Sequence, residues 1–222
     1  MISRALLMLC VAALPAAARD YEERKHFTYP IQEDGRLYLK SEVGAVHIRA
    51  TDRKDVRIEA ILRARESDEH SGPGRVKDLR VRIDAQPDTI RVRGEWPNWS
   101  VGKFFRGKSR LQIDWEIEVP RSTRLHVEHD IGEVNIQGAA NDVVVREGIG
   151  EVTVELADAF QPRRVSLETK IGDVSTRLDG RLRGWLGKKF TSLLDGRHTL
   201  DVRVKIGEVR IKGGRGSRAE TV

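Results

Sequence analysis

The 222-residue chain has one cysteine, Cys10, few aromatics, at 5% of residues, and no long apolar run beyond its first eighteen positions. Those positions differ in kind from the rest. Arg4 is their only charged side chain, the apolar run ALLMLCVAALP follows, and Ala16, Ala17 and Ala18 precede the charged segment RDYEERK. A positive charge, a short apolar run and a small-residue cleavage site predict a secretory signal peptide, too short to be a lasting membrane span. Leu9 stands before Cys10 where lipoprotein processing favours a small residue, so cleavage after Ala18 is expected and takes the cysteine with it. The mature chain then has no disulfide, no thiol nucleophile, no thiolate metal site and no transmembrane segment. It keeps 40 − 1 = 39 basic residues against 34 acidic ones, a formal charge of +5. The two signs are interspersed, as on a solvated surface, and the basic excess suits an anionic envelope partner. Export makes nucleic acid an unsuitable partner.

Helical periodicity is also missing, and period-two alternation takes its place. RLYLKSEVGAVHIRA puts Leu37, Leu39, Val46 and Ile48 on inward positions, DVRIEAILRARE continues with Val56, Ile58, Ala60 and Leu62, and LQIDWEIEVP places Leu111, Ile113, Trp115, Ile117 and Val119 on one side. Each segment reads as a strand with one dry and one wet face.

One phrase recurs in the second half: DIGEVNI, GIGEVTV, KIGDVST and KIGEVRI, with glycines at Gly132, Gly150, Gly172 and Gly207. With the residue before each glycine as anchor, apolar or inward residues stand six, four and two places earlier and three and five places later. An earlier stretch around Gly44 obeys the same grid. Parity slips by one residue at the glycine, so the chain must bend there, and glycine permits a bend or positive φ without a Cβ penalty. The expected unit is strand, glycine turn, strand.

The last four anchors lie 18, 22 and 35 residues apart, which suits stacked rungs in chain order. Within the longest interval, RLRGWLGKKFTSLLDG reads as a worn copy. The expected fold class is all-β, a β-solenoid or β-helix-like stack of short strands with glycine turns, with a twisted β-sandwich as the alternative. The expected organisation is a signal peptide at 1–18, a lead-in at 19–34, an irregular β lobe or cap at 35–119, repeated rungs at 120–214 and a loose tail at 215–222.

On this grid the chain resembles the putative-adhesin family of exported bacterial proteins, which repeat a hydrophobic-Gly-Asp/Glu-Val turn between short strands and end with a copy such as VRVKIGEVRIKG. The match runs over residues 35–213. It implies a β-helix-like repeat and a place in the cell envelope, and it brings no catalytic residues with it. A small periplasmic protein fits the length better than a surface adhesin does.

Candidate chemistry is sparse. The turn acids Glu133, Glu151, Asp173 and Glu208 would form a column if the rungs are in register. They lack the dense aspartate and glycine loops of calcium repeats, so no metal or cofactor is expected. The turns also lack the glycine spacing and following helix of a phosphate loop. His126 and His129, three apart on a strand, point to opposite faces. The expected role is therefore non-enzymatic, structural or interactive, in the envelope. The alternative is a carbohydrate-active enzyme, or a module for glycan or anionic lipid, using residues 94–110. There Trp96, Trp99, Phe104 and Phe105 stand among Arg106, Lys108 and Arg110 as a possible surface for envelope glycan, anionic lipid or protein. Trp185 and Phe190, beside Lys188 and Lys189, form a second aromatic-basic group. In the simpler reading such aromatics plug the open end of the stack.

Overall fold

The computed structural model describes residues 20–65, 76–96 and 111–213. Among them are twelve strands and one short 3-10 turn, Val76–Asp78. The strands are β1 (Asp20–Pro30), β2 (Arg36–Thr51), β3 (Asp55–Arg65), β4 (Arg80–Gln86), β5 (Thr89–Glu95), β6 (Leu111–Pro120), β7 (Arg124–Ala139), β8 (Val143–Leu156), β9 (Pro162–Thr176), β10 (Arg181–Arg183), β11 (Lys189–Leu193) and β12 (His198–Gly213). All belong to one 12-stranded sheet of mixed topology.

Five long strands, in the spatial order β2-β7-β8-β12-β9, pair in parallel and carry the repeated glycines in register. If straight, the 16 residues of β7 would extend about 50 Å. Only residues 140–142 join the end of β7 to the start of its parallel neighbour β8, a link that reaches about 14 Å at most. Each long strand must therefore double back. The hydrogen bond from Leu125 N–H to the Asp142 carbonyl, 2.9 Å, shows the chain already returned to the start of β7.

The fold-back occurs at the glycines. Gly44, Gly132, Gly150, Gly172 and Gly207 have φ between 130° and 154°. Their neighbours also exclude a side chain: a Cβ on Gly132 would lie 1.8 Å from the Gly44 carbonyl oxygen, and one on Gly150 1.7 Å from that of Gly132. Gly207 stands in the same relation to Gly150, and Gly172 to Gly207. At each arc the pairing register skips one residue, Asp130 and Gly148 between β7 and β8 for example, before resuming at the anchor.

The arcs divide each long strand into a first and a second arm. The first arm of β2 carries β5 and then β4, and its second arm carries β6, β3 and β1. Inward residues of both arms, among them Leu37, Val127, Val145, Leu167 and Val202 before the arc and Val46, Val134, Val152 and Val209 after it, join one hydrophobic core. Each wholly buried Val or Leu contributes about 1.5 to 3 kcal/mol against exposure.

The strand order differs from the expected chain-order stack, for β12 lies between β8 and β9. Residues 181–193, expected to be a worn rung, instead make the antiparallel pair β10 and β11, and β11 occupies the edge of β9 that faces away from β8. Only the other edge of β9 remains open to β12. The five-residue link 157–161 between β8 and β9, two residues longer than that between β7 and β8, provides the reach to leave one strand position free.

Replacing Gly150 with Ala should cost about 3 to 5 kcal/mol, because the new methyl meets a carbonyl in the neighbouring arc as well as an unfavourable φ. Urea unfolding of Gly150→Ala measures it, and a midpoint equal to that of the wild type would contradict the arc geometry.

Candidate functional site

Inside the arcs the inward column contains Ser41, His129 and Glu147 on β2, β7 and β8. His129 Nδ1 lies 2.8 Å from Glu147 Oε2, and both side chains are wholly buried. Trp115 Nε1–H donates to Ser41 Oγ at 2.9 Å. Serine, imidazole and carboxylate in a row have the composition of a hydrolytic triad. Here, though, His129 Nε2 has no hydrogen-bond partner, and all three residues are sealed from solvent. No substrate carbonyl can reach Ser41 Oγ, so the group packs the bend. Burial pushes the Glu147 carboxyl up, with the His129 hydrogen bond opposing. As the strand period requires, His126 faces outward while His129 faces in.

The turn acids line up in the strand order Glu133, Glu151, Glu208, Asp173. Arg210 bonds both Glu151 and Glu208, at 2.7 and 2.8 Å, and Asp173 accepts the Val174 N–H. At the end of the glycine column Asp114 replaces a further arc, its Oδ1 accepting the Ala45 N–H at 2.8 Å. Arg210 thereby offsets part of the repulsion within a ridge of like charge at strand spacing.

The outer face of the first arms has a different character. One register line crosses nine strands, through Arg82, Arg93 and Lys40, then Glu128, Arg146 and Arg203, then Glu168, Lys189 and Arg183. Seven of these nine outward positions are basic. At about 4.8 Å per strand the line is roughly 38 Å long. The corresponding line on the second arms, through His26, Glu59, Glu116, His47, Asn135, Thr153, Arg210 and Ser175, has two acids and one arginine. The basic excess is thus a property of one face. Some of it is answered locally: Lys40 lies 3.8 Å from Glu128, Lys189 lies 3.8 Å from Glu168, and Arg146 and Arg203 share Asp201. Arg82 also lies 3.5 Å from Glu95, and the Arg93 charge acts on the Glu42 carboxyl.

Beside this stripe, the Tyr38 and His126 rings lie 5.0 Å apart and the Arg91 guanidinium stands 5.7 Å from the Tyr38 centroid. With Arg82, Arg93 and Lys40 they border a groove of about 330 Å³. An aromatic face bordered by guanidinium groups can stack on a sugar ring and pair with its carboxylate or phosphate. A second groove, about 400 Å³, lies on the second arms around His47, Glu59, Glu116 and Glu118. Its Glu59 is held by Arg24 at 2.9 Å and its Glu118 by Arg53 at 3.0 Å.

Of the aromatic-basic segment singled out in the sequence, Trp96 is buried, with its indole N–H 3.4 Å from the Leu111 carbonyl. Trp99, Phe104, Phe105, Arg106, Lys108 and Arg110 lie outside the described residues. Phe190 is buried and Trp185 exposed. Sequence reasoning passed over Tyr38, Arg91 and Arg93, whose signal was their outward place on the glycine grid or on strands pairing with it, and weighed His126 only for its spacing from His129.

No protein-family model and no curated protein matches the chain. Among solved structures it is similar to a protein described as a putative cell adhesion protein from Clostridium sporogenes, at 14% identity and a TM-score of 0.46, over 87% of this chain and 100% of that one. It is also similar to a putative adhesin from Bacteroides fragilis, at 11% identity and a TM-score of 0.25, over 85% and 97% of the two chains. Likeness at this level is weak.

Glu42, next to the Val43 anchor, has its carboxyl pushed up to about 7, first by burial and then by the Asp130 charge, while Lys40 and Arg93 oppose. A folded value above the ordinary 4.5 means that the folded chain holds the proton over this window, so stability is full below about pH 4.5 and falls as pH rises towards 7. Glu42→Gln should shrink the loss of urea midpoint between pH 5 and pH 8. An identical loss in both proteins would contradict the assignment.

Proposed function

We propose that the chain is an exported, non-enzymatic binding module of the bacterial cell envelope whose first-arm face grips a linear anionic polymer such as a uronate- or phosphate-bearing glycan. The observation that carries this reading is the stripe of seven basic side chains in one register line across nine strands. A linear polyanion presents charge at intervals comparable to strand spacing, and the Tyr38 groove beside the stripe offers a stacking surface for a ring. Residues 1–18 support export, and we take the periplasm as the destination. No helix among the described residues is long and apolar enough to cross a membrane. We read the five in-register, doubled-back strands as β-helix-like rungs, a rigid frame that holds the charges at fixed spacing.

A carbohydrate-active enzyme is the rival, favoured by one observation: the second-arm groove has Glu59, Glu116 and Glu118 facing solvent. Glycoside hydrolysis needs one carboxyl that keeps a proton and one that does not. Glu59 and Glu118 are each engaged by an arginine, Arg24 and Arg53, which leaves Glu116 without a free second carboxyl to work with.

The mature protein should be retained on an immobilised linear polyuronate and released by salt. Exposed ion contacts contribute a few tenths to one kcal/mol each, so Arg82→Gln/Arg93→Gln/Lys40→Gln should weaken retention roughly tenfold. Arg49→Gln/Lys54→Gln/Lys212→Gln, with the same loss of charge off the stripe, should weaken it far less. Equal loss in the two variants would reduce the effect to net charge and overturn the reading.

A further inference from the structure

All the large apolar side chains that are exposed among the described residues fall between Ile171 and Ile206, at the end of the sheet remote from β4. Ile206 and Ile171 are register partners at the arc, 44% and 47% exposed, whereas the equivalent anchors Val43 and Ile131 are buried. The row continues off the sheet edge into the turn between β10 and β11, where Leu186 is 57% and Trp185 89% exposed.

This turn is held firmly. Gly172 N–H donates to the Leu186 carbonyl at 3.1 Å, Thr169 N–H to the Lys188 carbonyl at 2.8 Å, and Lys188 N–H to Thr169 Oγ1 at 3.0 Å. Gly184, at φ 104°, closes the turn. Trp185 is therefore presented by a turn pinned to the sheet, and an apolar ridge so presented marks an interaction site.

Charge identifies the occupant. Lys170 and Lys205 stand beside the two isoleucines, and Arg183, Lys188 and Lys189 flank the turn. The nearest turn acids are already engaged, Asp173 by the Val174 amide and Glu208 by Arg210. A second copy of the chain would bring the same lysines against each other. An anionic bilayer would instead receive them at its phosphates while the tryptophan and leucine enter the interfacial zone, where indole is favoured.

We propose that Trp185, Leu186, Ile171 and Ile206, ringed by Lys170, Lys188 and Lys205, form a wedge that seats this end of the sheet on an anionic phospholipid surface. This site adjoins the near end of the polymer-binding stripe at Lys189 and Arg183, whereas the distal stripe residues Arg82, Arg93 and Lys40 lie on the far side of the sheet order.

The test is co-sedimentation of residues 19–222 with vesicles of phosphatidylcholine alone and of phosphatidylcholine with phosphatidylglycerol. Tryptophan emission and polyuronate retention are measured on the same samples. The wild type should sediment with the anionic vesicles only, with a blue shift in emission. Trp185→Ala/Leu186→Ala should lose at least about tenfold in vesicle affinity and all of the shift. Both positions are exposed, so its thermal midpoint and polyuronate retention should stay unchanged. Arg82→Gln/Arg93→Gln/Lys40→Gln should show the converse, weaker polymer retention with vesicle binding preserved. Failure to sediment, equal sedimentation with neutral vesicles, or unchanged vesicle binding by the Trp185/Leu186 variant would overturn the wedge. So would a wild-type dimer in solution that this variant abolishes, since the ridge would then belong to a second copy.

Discussion

The carbonyl oxygen of one glycine occupies the place where the next glycine would have a Cβ. That contact repeats from Gly172 through Gly207, Gly150 and Gly132 to Gly44, and it decides how the long strands lie. Any side chain at these positions would force the arcs apart, so bends must stack on bends. Stacked bends fix the register, and register turns positions on single strands into lines across the sheet. The stripe, the acidic ridge and the buried column are three such lines, set by the same glycines.

The polar column beneath the arcs follows from the same crowding. A Cβ at Gly132 would lie 2.8 Å from His129 Cε1, so the imidazole fills the space the missing side chain leaves. Leaving His129 Nε2 and Glu147 Oε1 without partners costs stability, as a buried unpaired polar atom does. The paired Nδ1 and Oε2 offset part of that cost. Together with the raised carboxyl of Glu42, this places both carboxyls that burial pushes up, among the described residues, beside the bends.

Much of the frame was legible in the residues. The parity slip at each glycine identified the bends, and the inward grid positions from Leu37 to Ile211, Thr176 excepted, are buried. Strand order was not legible, because periodicity records which face a residue occupies and says nothing of which strand lies beside it. The hairpin of β10 and β11 was mistaken for a rung because Phe190 is buried as a rung residue would be, whereas antiparallel pairing to β9 is a tertiary fact. The stripe escaped for a related reason. Lys40, Glu128, Arg146, Glu168 and Arg203 share one outward grid position, but Arg93 and Lys189 join them only through pairing. Ile171 and Ile206 look the same as Ile131 in sequence and differ in exposure because they stand near the end of the stack.

Amide and α-proton contacts among the five arc glycines test the central claim most directly. In a deuterated sample with protonated glycine, nuclear Overhauser effects should connect Gly207 with both Gly150 and Gly172, and Gly132 with both Gly150 and Gly44. They should be absent between Gly150 and Gly172, which β12 holds two strand spacings apart, about 9.6 Å. A direct contact between Gly150 and Gly172, with none from Gly207 to Gly150, would restore the chain-order stack and contradict the register from which the stripe is built.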